Sequence, residues 1–307
     1  MMRSVLLRMS RSKFMERQMK RRKFARRAVR KFMPGEELDD AFQAAQRLGR
    51  RGLGAVLTEL GENVTTAEEA TAVARHYETA LDRMATLAID GEISVKPTHL
   101  GLDLGEGVAH QNLQRLVRKA SELGTMVWVD MEDSSYVDRT LDLVRHSRQT
   151  GPNVGVCLQA YLHRTPEDLE SLMGAGIRVR LVKGAYRELP EQAIQRRKDV
   201  DHRFAELALR MLKDRDYVTS ATPVFGTHDD RLIERVRESA RQYGISPGQL
   251  EFHMLYGIGI ELQEWLAAVG ARVRVLISYG EHWYPWYMRR LAERPANLWF
   301  VVRKFFG

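Results

Sequence analysis

Eight short runs rich in β-branched and aliphatic residues recur along the chain, and each precedes a stretch whose apolar residues repeat at helical spacing. The predicted strands span residues 52–57, 93–96, 126–130, 154–159, 178–183, 218–225, 250–255 and 273–277. The predicted helices span residues 67–89, 108–123, 136–148, 166–173, 190–214, 230–243, 260–269 and 281–294. Eight strand–helix repeats in about 250 residues predict an α/β protein built as a (β/α)8 barrel of the TIM type, with a doubly wound open sheet as the alternative.

Glycine placement disfavours the open sheet. A doubly wound fold usually carries a glycine-rich phosphate turn after its first strand, whereas Gly49, Gly52 and Gly54 fall before and inside the first apolar run. The sequence also lacks a Gly-x-Gly-x-x-Gly fingerprint and a Walker loop. We therefore expect neither a nicotinamide site nor a nucleoside-triphosphate site of the usual kinds.

Composition excludes several classes of protein. The 307 residues are 44% apolar and 29% charged, which is ordinary for a globular chain and rules out disorder throughout. No run approaches the roughly 18 apolar residues needed to cross a bilayer. Cys157 is the single cysteine, so an intramolecular disulfide is impossible, and its place inside a predicted strand indicates a core residue.

Positive charge is concentrated in the first 31 residues. They contain thirteen Lys and Arg but one carboxylate, Glu16, so this segment carries +12 in a chain whose net charge is +8. The rest of the chain is therefore mildly acidic, and we expect no nucleic-acid site on it. We divide the chain into a basic N-terminal helical arm, residues 1–49, and a barrel domain with the last helix, residues 50–307.

The arm intersperses Val5, Leu6, Leu7, Phe14 and Phe24 with its cations, which is typical of an amphipathic helix. Such a helix can pack on the body with a solvated outer face, or it can lie on an anionic lipid surface. Nucleic-acid binding and a transit peptide are further alternatives. A secretory signal peptide is disfavoured because the apolar run is short and no small-residue cleavage site follows it.

Polar residues follow the predicted strands at their carboxyl ends. The set comprises Lys96, Thr98, Asp130, Glu132, Asp133, Gln159, Tyr161, Lys183, Tyr186, Thr227, His228, Asp229, Tyr256 and Tyr279. In a barrel these positions converge on the face that holds active sites. Arg180 and Lys183 share one predicted strand at a spacing that lets one reach the mouth of the barrel while the other lies at its rim. Because buried cations need a partner, this pair indicates an anionic ligand.

The last predicted helix contains Arg289 and Arg290, and Glu293 follows Arg289 by four residues. One interpretation is an exposed helical ion pair worth a few tenths of a kcal/mol. The other is that the adjacent guanidinium groups, one of them oriented by Glu293, hold a carboxylate. A metal site is not expected, because the histidines lack metal-binding spacing and the acidic residues at 130–133 have no supporting motif.

Ordered sequence blocks over most of the body resemble the proline dehydrogenase family of FAD-dependent enzymes. The blocks span residues 94–96, 100–104, 130–133, 158–162, 180–186, 227–229, 251–257 and 279–280 leading into 287–295. They include Ser-Val-Lys at 94–96, Asp-Met-Glu-Asp at 130–133 and Tyr-Met-Arg-Arg-Leu-Ala-Glu-Arg-Pro at 287–295. A single block would be weak evidence, but eight blocks in the same order are specific.

The resemblance implies a distorted (β/α)8 barrel with the last helix over its mouth, FAD as cofactor, and oxidation of L-proline to 1-pyrroline-5-carboxylate by hydride transfer to flavin N5, with electrons passed to a quinone. It implies that Asp130 and Arg180 are catalytic. The implied substrate-binding residues are Lys96, Arg289, Arg290, Leu255 and Leu276, with Glu293 supporting the pocket. The implied cofactor-binding residues are Met131, Gln159, Arg180, Lys183, Gly184, Ala185, Tyr186, Thr227 and His228.

The chain departs from the family pattern on its eighth strand. Where the family usually has a Tyr two residues before a Pro, this chain has Leu276 and Ser278, which removes a hydroxyl and one ring wall over the substrate. Pro97, His99 and His253 also replace the usual Leu, Gln and Gln. A related flavoenzyme acting on hydroxyproline or another cyclic or N-substituted imino acid is therefore the alternative function.

Two other classes of protein stay open. A Schiff-base lyase would use Lys96 or Lys183, since lysines at strand ends can form imines. A binding module would use the basic arm on an inert barrel and would bind nucleic acid with strong salt dependence. For the flavoenzyme we expect a cytoplasmic protein whose arm attaches peripherally to the inner face of the membrane, where a lipid-soluble quinone is within reach.

Overall fold

Eight parallel strands form a closed barrel in the order of the chain. The computed structural model describes residues 12, 15, 17–19, 29–61, 64–214 and 222–293, with side chains as far as Met288. The strands are β1 (Gly54–Glu59), β2 (Gly91–Val95), β3 (Val127–Val129), β4 (Val154–Gln159), β5 (Arg178–Val182), β6 (Val224–Gly226), β7 (Glu251–Leu255) and β8 (Arg272–Tyr279). Pairing of β8 with β1, from Arg274 opposite Gly54 to Tyr279 opposite Glu59, closes the barrel. The predicted (β/α)8 fold is confirmed, and the open-sheet alternative is wrong.

Helices connect the strands and surround the barrel. They are α1 (Leu38–Gly49), α2 (Ala67–Thr86), α3 (Glu106–Leu123), α4 (Val137–Arg148), α5 (Thr165–Gly174), α6 (Arg197–Lys213), α7 (Asp230–Gln242), α8 (Ile260–Ala268) and α9 (Trp283–Glu293). The Thr66 hydroxyl accepts a hydrogen bond from the Glu69 N–H at 3.2 Å, so α2 starts at the predicted capping signal.

Two predicted boundaries differ from the structure by six or seven residues, and the others differ by at most a few residues. Helix α6 begins at Arg197 rather than at residue 190, because Leu189 starts a turn and Ala193 pairs with Leu162 in an isolated antiparallel bridge. Strand β6 begins at Val224, whereas the prediction started it at residue 218. Residues 218–221 of that prediction lie outside the described residues.

Alternate residues of each strand point to opposite sides of the barrel wall. Leu57, Val127 and Val275 belong to the large apolar core shared by strands and helices. Val56, Trp128 and Val224 form a separate small cluster inside the barrel. Many other interior positions carry polar or charged side chains. These residues are buried or half-buried and comprise Glu92, Ser94, Arg178, Arg180, Glu251, His253, Arg274 and Ser278.

The last helix packs against the segment that precedes α1. Met33, Leu60, Trp283 and Tyr287 are nearly fully buried members of one apolar cluster. Glu36 joins the two segments, because its carbonyl accepts a hydrogen bond from Gly280 and its carboxylate accepts one from the Trp283 indole, each at 2.9 Å. Leu60 directly follows β1 and Trp283 lies shortly after β8, so α9 begins at the mouth of the barrel, the face formed by the carboxyl ends of the strands.

Helix α1 packs on the outside of the barrel against β1 and β8, and its residues Ala41, Phe42 and Leu48 belong to the main core. The division of the chain at residue 49 stays a prediction. Most of the basic run over residues 1–31 lies outside the described residues. Among the helices that the structure does describe, none is long and apolar enough to span a bilayer.

Candidate active site

The polar residues predicted at strand ends surround the mouth of the barrel. Asp130 directly follows β3, Gln159 ends β4, Lys183 follows β5, Thr227 follows β6 and Leu255 ends β7. Because the eight strands are parallel and the barrel is closed, these positions form one ring.

Asp130, Ser94 and Arg180 form a hydrogen-bonded cluster in this ring. The Ser94 hydroxyl donates to Asp130 Oδ1 at 2.8 Å, and Arg180 Nη2 donates to Ser94 Oγ at 2.9 Å and also to Asp130 Oδ1. Arg180 is 4% exposed, so its charge is held almost out of water. A guanidinium in such a place stays charged because the carboxylate compensates for lost hydration. The two predicted catalytic residues are therefore in contact.

Below this cluster, Arg180 contacts a second group of charged residues inside the barrel. Arg180 Nη1 lies 3.3 Å from His253 Nδ1, and His253 Nε2 lies 2.7 Å from Glu251 Oε1. Arg274 Nε lies 3.3 Å from a carboxylate oxygen of both Glu92 and Glu251. The Trp128 indole donates to Glu92 Oε2 at 2.6 Å. We call Glu92, Arg178, Glu251, His253 and Arg274 the interior ionic cluster.

Burial and charge shift the pKa values of the interior ionic cluster in different directions. Burial raises the pKa of Glu92 to about 7, although Arg274 acts against this shift. Burial lowers the pKa of His253 to about 4, although the hydrogen bond and charge of Glu251 act the other way. Burial alone would raise the pKa of Glu251, but the hydrogen bond from His253 and the charges of Arg178 and Arg274 lower it to about 2. His253 is therefore neutral and Glu251 ionised at neutral pH.

The interior ionic cluster could be mistaken for a metal site. One ligand atom from each of Glu92, Glu251 and His253 lies within 4.8 Å of the others. However, the Arg274 guanidinium contacts both carboxylates, and the His253 Nε2 proton is already donated to Glu251. The positive charge that the carboxylates need is thus supplied by the chain itself.

Lys183 lies at the rim of the mouth and is held by two carboxylates. Its amine lies 2.5 Å from Asp201 Oδ1 on α6 and 2.7 Å from Asp229 Oδ2. Arg180 and Lys183 therefore both have acidic partners within the chain, and their burial does not by itself require an anionic ligand, contrary to the expectation from their sequence. An ammonium group in two ion pairs is also a poor imine-forming nucleophile, which disfavours the lyase alternative at Lys183.

Other predicted cofactor residues hold the loops of the mouth together. Gln159 donates from Nε2 to the Glu132 carbonyl at 2.8 Å, and its Oε1 accepts from the Ala185 N–H at 3.2 Å. His228 Nε2 accepts from the Leu255 N–H at 2.7 Å, which joins a predicted cofactor residue to a predicted substrate residue.

Thr227 Oγ1 accepts from the Asp229 N–H at 3.1 Å. Met131 is buried, whereas Tyr186 is half-buried.

The predicted substrate residues are described only in part. Lys96 follows β2, is half-buried, and forms no ion pair with the residues whose side chains the structure describes. Leu255 and Leu276 are half-buried on β7 and β8. Arg289, Arg290 and Glu293 lie within α9, but their side chains are outside the described part of the chain. Whether these cations meet Lys96 stays a prediction.

Sequence reasoning did not foresee the interior ionic cluster or the role of Ser94. The signal was present, because Arg178 and Arg180 occupy alternate positions of β5, as do Glu251 and His253 on β7. Alternation of period two places such pairs on one face of a strand. Charged residues at that spacing on neighbouring strands indicate a charged barrel interior.

The fold and the ring of polar side chains define a (β/α)8-barrel enzyme with its site at the carboxyl ends of the strands. Residues 41–303 match the family model described as proline dehydrogenase. The chain is 37% identical over 278 residues to proline dehydrogenase 1 of Bacillus subtilis subsp. natto, covering 91% of this chain and 90% of that protein. It is 36% identical over 278 residues to the proline dehydrogenase of Deinococcus radiodurans, covering 89% and 88%. The chain belongs to the proline dehydrogenase family and is an oxidoreductase.

A solved structure agrees with the fold. Proline utilization A (PutA) from Bdellovibrio bacteriovorus, inactivated by N-propargylglycine, superposes with a TM-score of 0.79 at 23% identity. The match covers 88% of this chain but 33% of that one, so the chain spans about a third of the larger protein's length. At this identity the likeness shows the shared barrel alone.

Proposed function

We propose that the protein oxidises L-proline to 1-pyrroline-5-carboxylate with FAD as cofactor and a quinone as electron acceptor. The observation that carries the proposal is the family match over residues 41–303. The contact between Asp130 and Arg180 at the mouth supports it, because both were predicted to be catalytic. When bound, FAD would supply the isoalloxazine ring that takes up the substrate hydride at N5.

The residues at the mouth fit a flavin dinucleotide. Arg180 offers a buried cation that would stabilise negative charge on a reduced ring. Gly184 has φ +117°, and a side chain there would lie 2.3 Å from the Tyr161 ring, so only glycine lets this loop pass so close. The next residue, Ala185, is exposed, so this part of the loop faces solvent where a ligand could approach.

Polar groups at the rim would hold the rest of the cofactor. Lys183 uses two of its three N–H donors on Asp201 and Asp229, which leaves one for a phosphate oxygen. We expect FAD to be held by Arg180, Lys183, Met131, Gln159, Gly184, Ala185, Tyr186, Thr227 and His228.

Lys96, Arg289 and Arg290 would bind the substrate carboxylate, and Leu255 and Leu276 would line the apolar side of the ring. Lys96 is suited to this role because its amine has no carboxylate partner among the described side chains and is half-buried. Asp130 would accept a hydrogen bond from the substrate amine. When a hydride passes between two bound rings, holding the rings in the correct geometry contributes much of the rate acceleration.

The visible absorption spectrum tests the proposal. Purified protein should show flavin bands, and anaerobic addition of L-proline should bleach them. Lys96→Met should keep the flavin bands and raise KM for L-proline about tenfold or more, because it removes one cation from the carboxylate. Lys119→Met is the matched control, since Lys119 forms an exposed ion pair with Asp82 on the outer helices. A colourless protein that cannot take up FAD would end the proposal.

A related substrate is the second candidate function, favoured by Leu276 and Ser278 on β8. Leu276 packs against the small apolar cluster that contains Val56 and Trp128, and Ser278 is 2% exposed, so neither position supplies the ring that the family's Tyr would. The same spectrum distinguishes the two, because flavin that stays oxidised with L-proline but bleaches with hydroxyproline or an N-substituted imino acid identifies the second.

We further propose that the basic arm attaches the enzyme to a quinone-containing membrane. Vesicles of anionic lipid should sediment the full chain, and replacing the basic run at residues 20–23 by Glu should release it. Equal sedimentation of both proteins would contradict this attachment. Salt-sensitive binding of the intact chain to nucleic acid, lost in the same variant, would instead favour the binding-module alternative.

A further inference from the structure

Arg180 is fixed from two sides, and the two sides use different nitrogens of its guanidinium group. Asp130 and Ser94 both contact Nη2, on the side of the mouth. His253 Nδ1 lies 3.3 Å from Nη1, on the side of the barrel interior. Both N–H bonds of Nη2 lie in the guanidinium plane, so these contacts restrict that plane on the side of the mouth. A hydrogen bond with Cys157 and the nearby Trp128 ring restrict it further. The contact to Nη1 anchors the opposite end of the group.

The protonation of His253 follows from these neighbours. Arginine can only donate, so His253 Nδ1 must be the acceptor and the ring proton must sit on Nε2. That proton is donated to Glu251 Oε1 at 2.7 Å. Arg178 and Arg274 in turn contact the Glu251 carboxylate, and both His253 and Glu251 are nearly fully buried. A carboxylate that fixes the tautomer of a histidine also fixes the ring's orientation.

We propose that His253 is a positioning residue for Arg180, and that Glu251 orients the His253 ring so that its Nδ1 holds the Nη1 end of the guanidinium from the side of the barrel interior. The inference rests on the proposed function, because it assumes that Arg180 faces the flavin. A charged group affects the reduction potential of a bound ring reproducibly only when its position is fixed to within fractions of an ångström. Such a group needs contacts on the side that faces away from the ring. His253 supplies that support from the interior ionic cluster, and His253 itself contacts no substrate.

Two variants test the acceptor that His253 offers to Arg180. In His253→Asn the amide oxygen can occupy the place of Nδ1, so the acceptor for Arg180 is kept and the donor to Glu251 is lost. In His253→Leu both the acceptor for Arg180 Nη1 and the donor to Glu251 are lost. The two new side chains have nearly the same size and shape, and a purely structural role would make the variants equivalent.

The readouts are measured on FAD-loaded protein and do not depend on turnover alone. For His253→Leu we expect altered flavin circular dichroism, a lower flavin midpoint potential, and a kcat reduced about tenfold with KM nearly kept. For His253→Asn we expect a flavin spectrum and potential close to those of the parent and a kcat within about threefold of it. Both should unfold at lower temperature than the parent. Equal flavin signatures in the two variants would overturn the proposal.

Arg180→Lys distinguishes failure of this inference from failure of the proposed function. A changed flavin potential in Arg180→Lys, together with an unchanged one in His253→Leu, refutes the role of His253 and leaves the proposed function standing. An unchanged potential in Arg180→Lys refutes the placement of Arg180 at the flavin, and the role of His253 with it. Protein that binds no FAD refutes both.

Discussion

Asp130 provides the negative charge that compensates for burying Arg180. Replacing it by Asn should lower the free energy of unfolding by about 3 kcal/mol, because breaking a buried pair leaves an uncompensated cation. Chemical denaturation at neutral pH measures this loss. Asp142→Asn is the matched control, since Asp142 pairs with Arg145 in an exposed i,i+3 geometry. That change should alter the free energy of unfolding by no more than about 0.5 kcal/mol. Similar losses in both variants would contradict the role of Asp130 in compensating the charge of Arg180.

Glu92 and His253 make opposite contributions to the pH dependence of stability. Folding raises the pKa of Glu92 to about 7, so its contribution to stability falls as pH rises from about 4.5 to 7. Folding lowers the pKa of His253 to about 4, so its contribution rises as pH rises from about 4 to 6.5. The two contributions nearly cancel, so we expect this pair to add little net pH dependence to the free energy of unfolding between about pH 4.5 and 6.5.

Glu92→Gln should remove the contribution of Glu92 to the pH dependence and leave that of His253. Relative to the parent, its free energy of unfolding should rise by about 3 kcal/mol between pH 4.5 and 6.5, because the opposing contribution of Glu92 is gone and that of His253 is kept. His253→Gln should show the reverse slope. Urea denaturation across this pH range measures both profiles, and parallel slopes in the two variants would contradict the compensation.

Some of the site residues could be predicted from the sequence. Asp130, Gln159, Lys183 and Thr227 could be placed at the mouth because the strand ends are evident from the apolar runs. The partners of Arg180 could not be named, since they come from β2, β3 and β7 and meet only when the barrel closes. His253 in particular stands between apolar neighbours on its strand, and nothing local reveals that it contacts Glu251 and Arg180 at once.

At the scale of elements, helix α2 depends on its N-terminal cap. Thr66→Ala should cost about 1 kcal/mol, because the Glu69 N–H loses its acceptor. Thr79→Ala is a control on the same helix, since the Thr79 hydroxyl only donates to the Arg75 carbonyl on an exposed face. That change should be neutral or slightly stabilising because Ala is the better helix former. Thermal unfolding compares the two, and a larger loss in Thr79→Ala would refute the capping role.

Element types were predictable from periodicity, while some boundaries depended on tertiary contacts. Strands β4 and β7 end where the apolar runs end, at Gln159 and Leu255. The segment from Pro190 to Arg196 has a polar composition compatible with a helix, but Ala193 pairs with Leu162 across the loop and prevents one. That pairing joins residues 31 positions apart and leaves no local signal.

At the scale of the whole molecule, the segment before α1 supports the helix that carries Arg289 and Arg290. Met33→Ala should destabilise the fold by about 3 kcal/mol and also raise KM for L-proline about fivefold, because α9 loses part of its packing surface. Met84→Ala removes the same side chain from the main core on α2 and should cost similar stability with KM unchanged. Steady-state kinetics of the FAD-loaded proteins measure the difference, and equal KM values would contradict the support.

The interior ionic cluster ties four strands to one another by charge. Glu92 lies on β2, Arg178 on β5, Glu251 and His253 on β7, and Arg274 on β8. Each strand contributes an unbalanced charge that only its partners neutralise. Replacing one of these strands by a strand of another (β/α)8 protein would therefore leave an unpaired charge in the barrel interior. We expect such a replacement to succeed only when all four strands are transferred together.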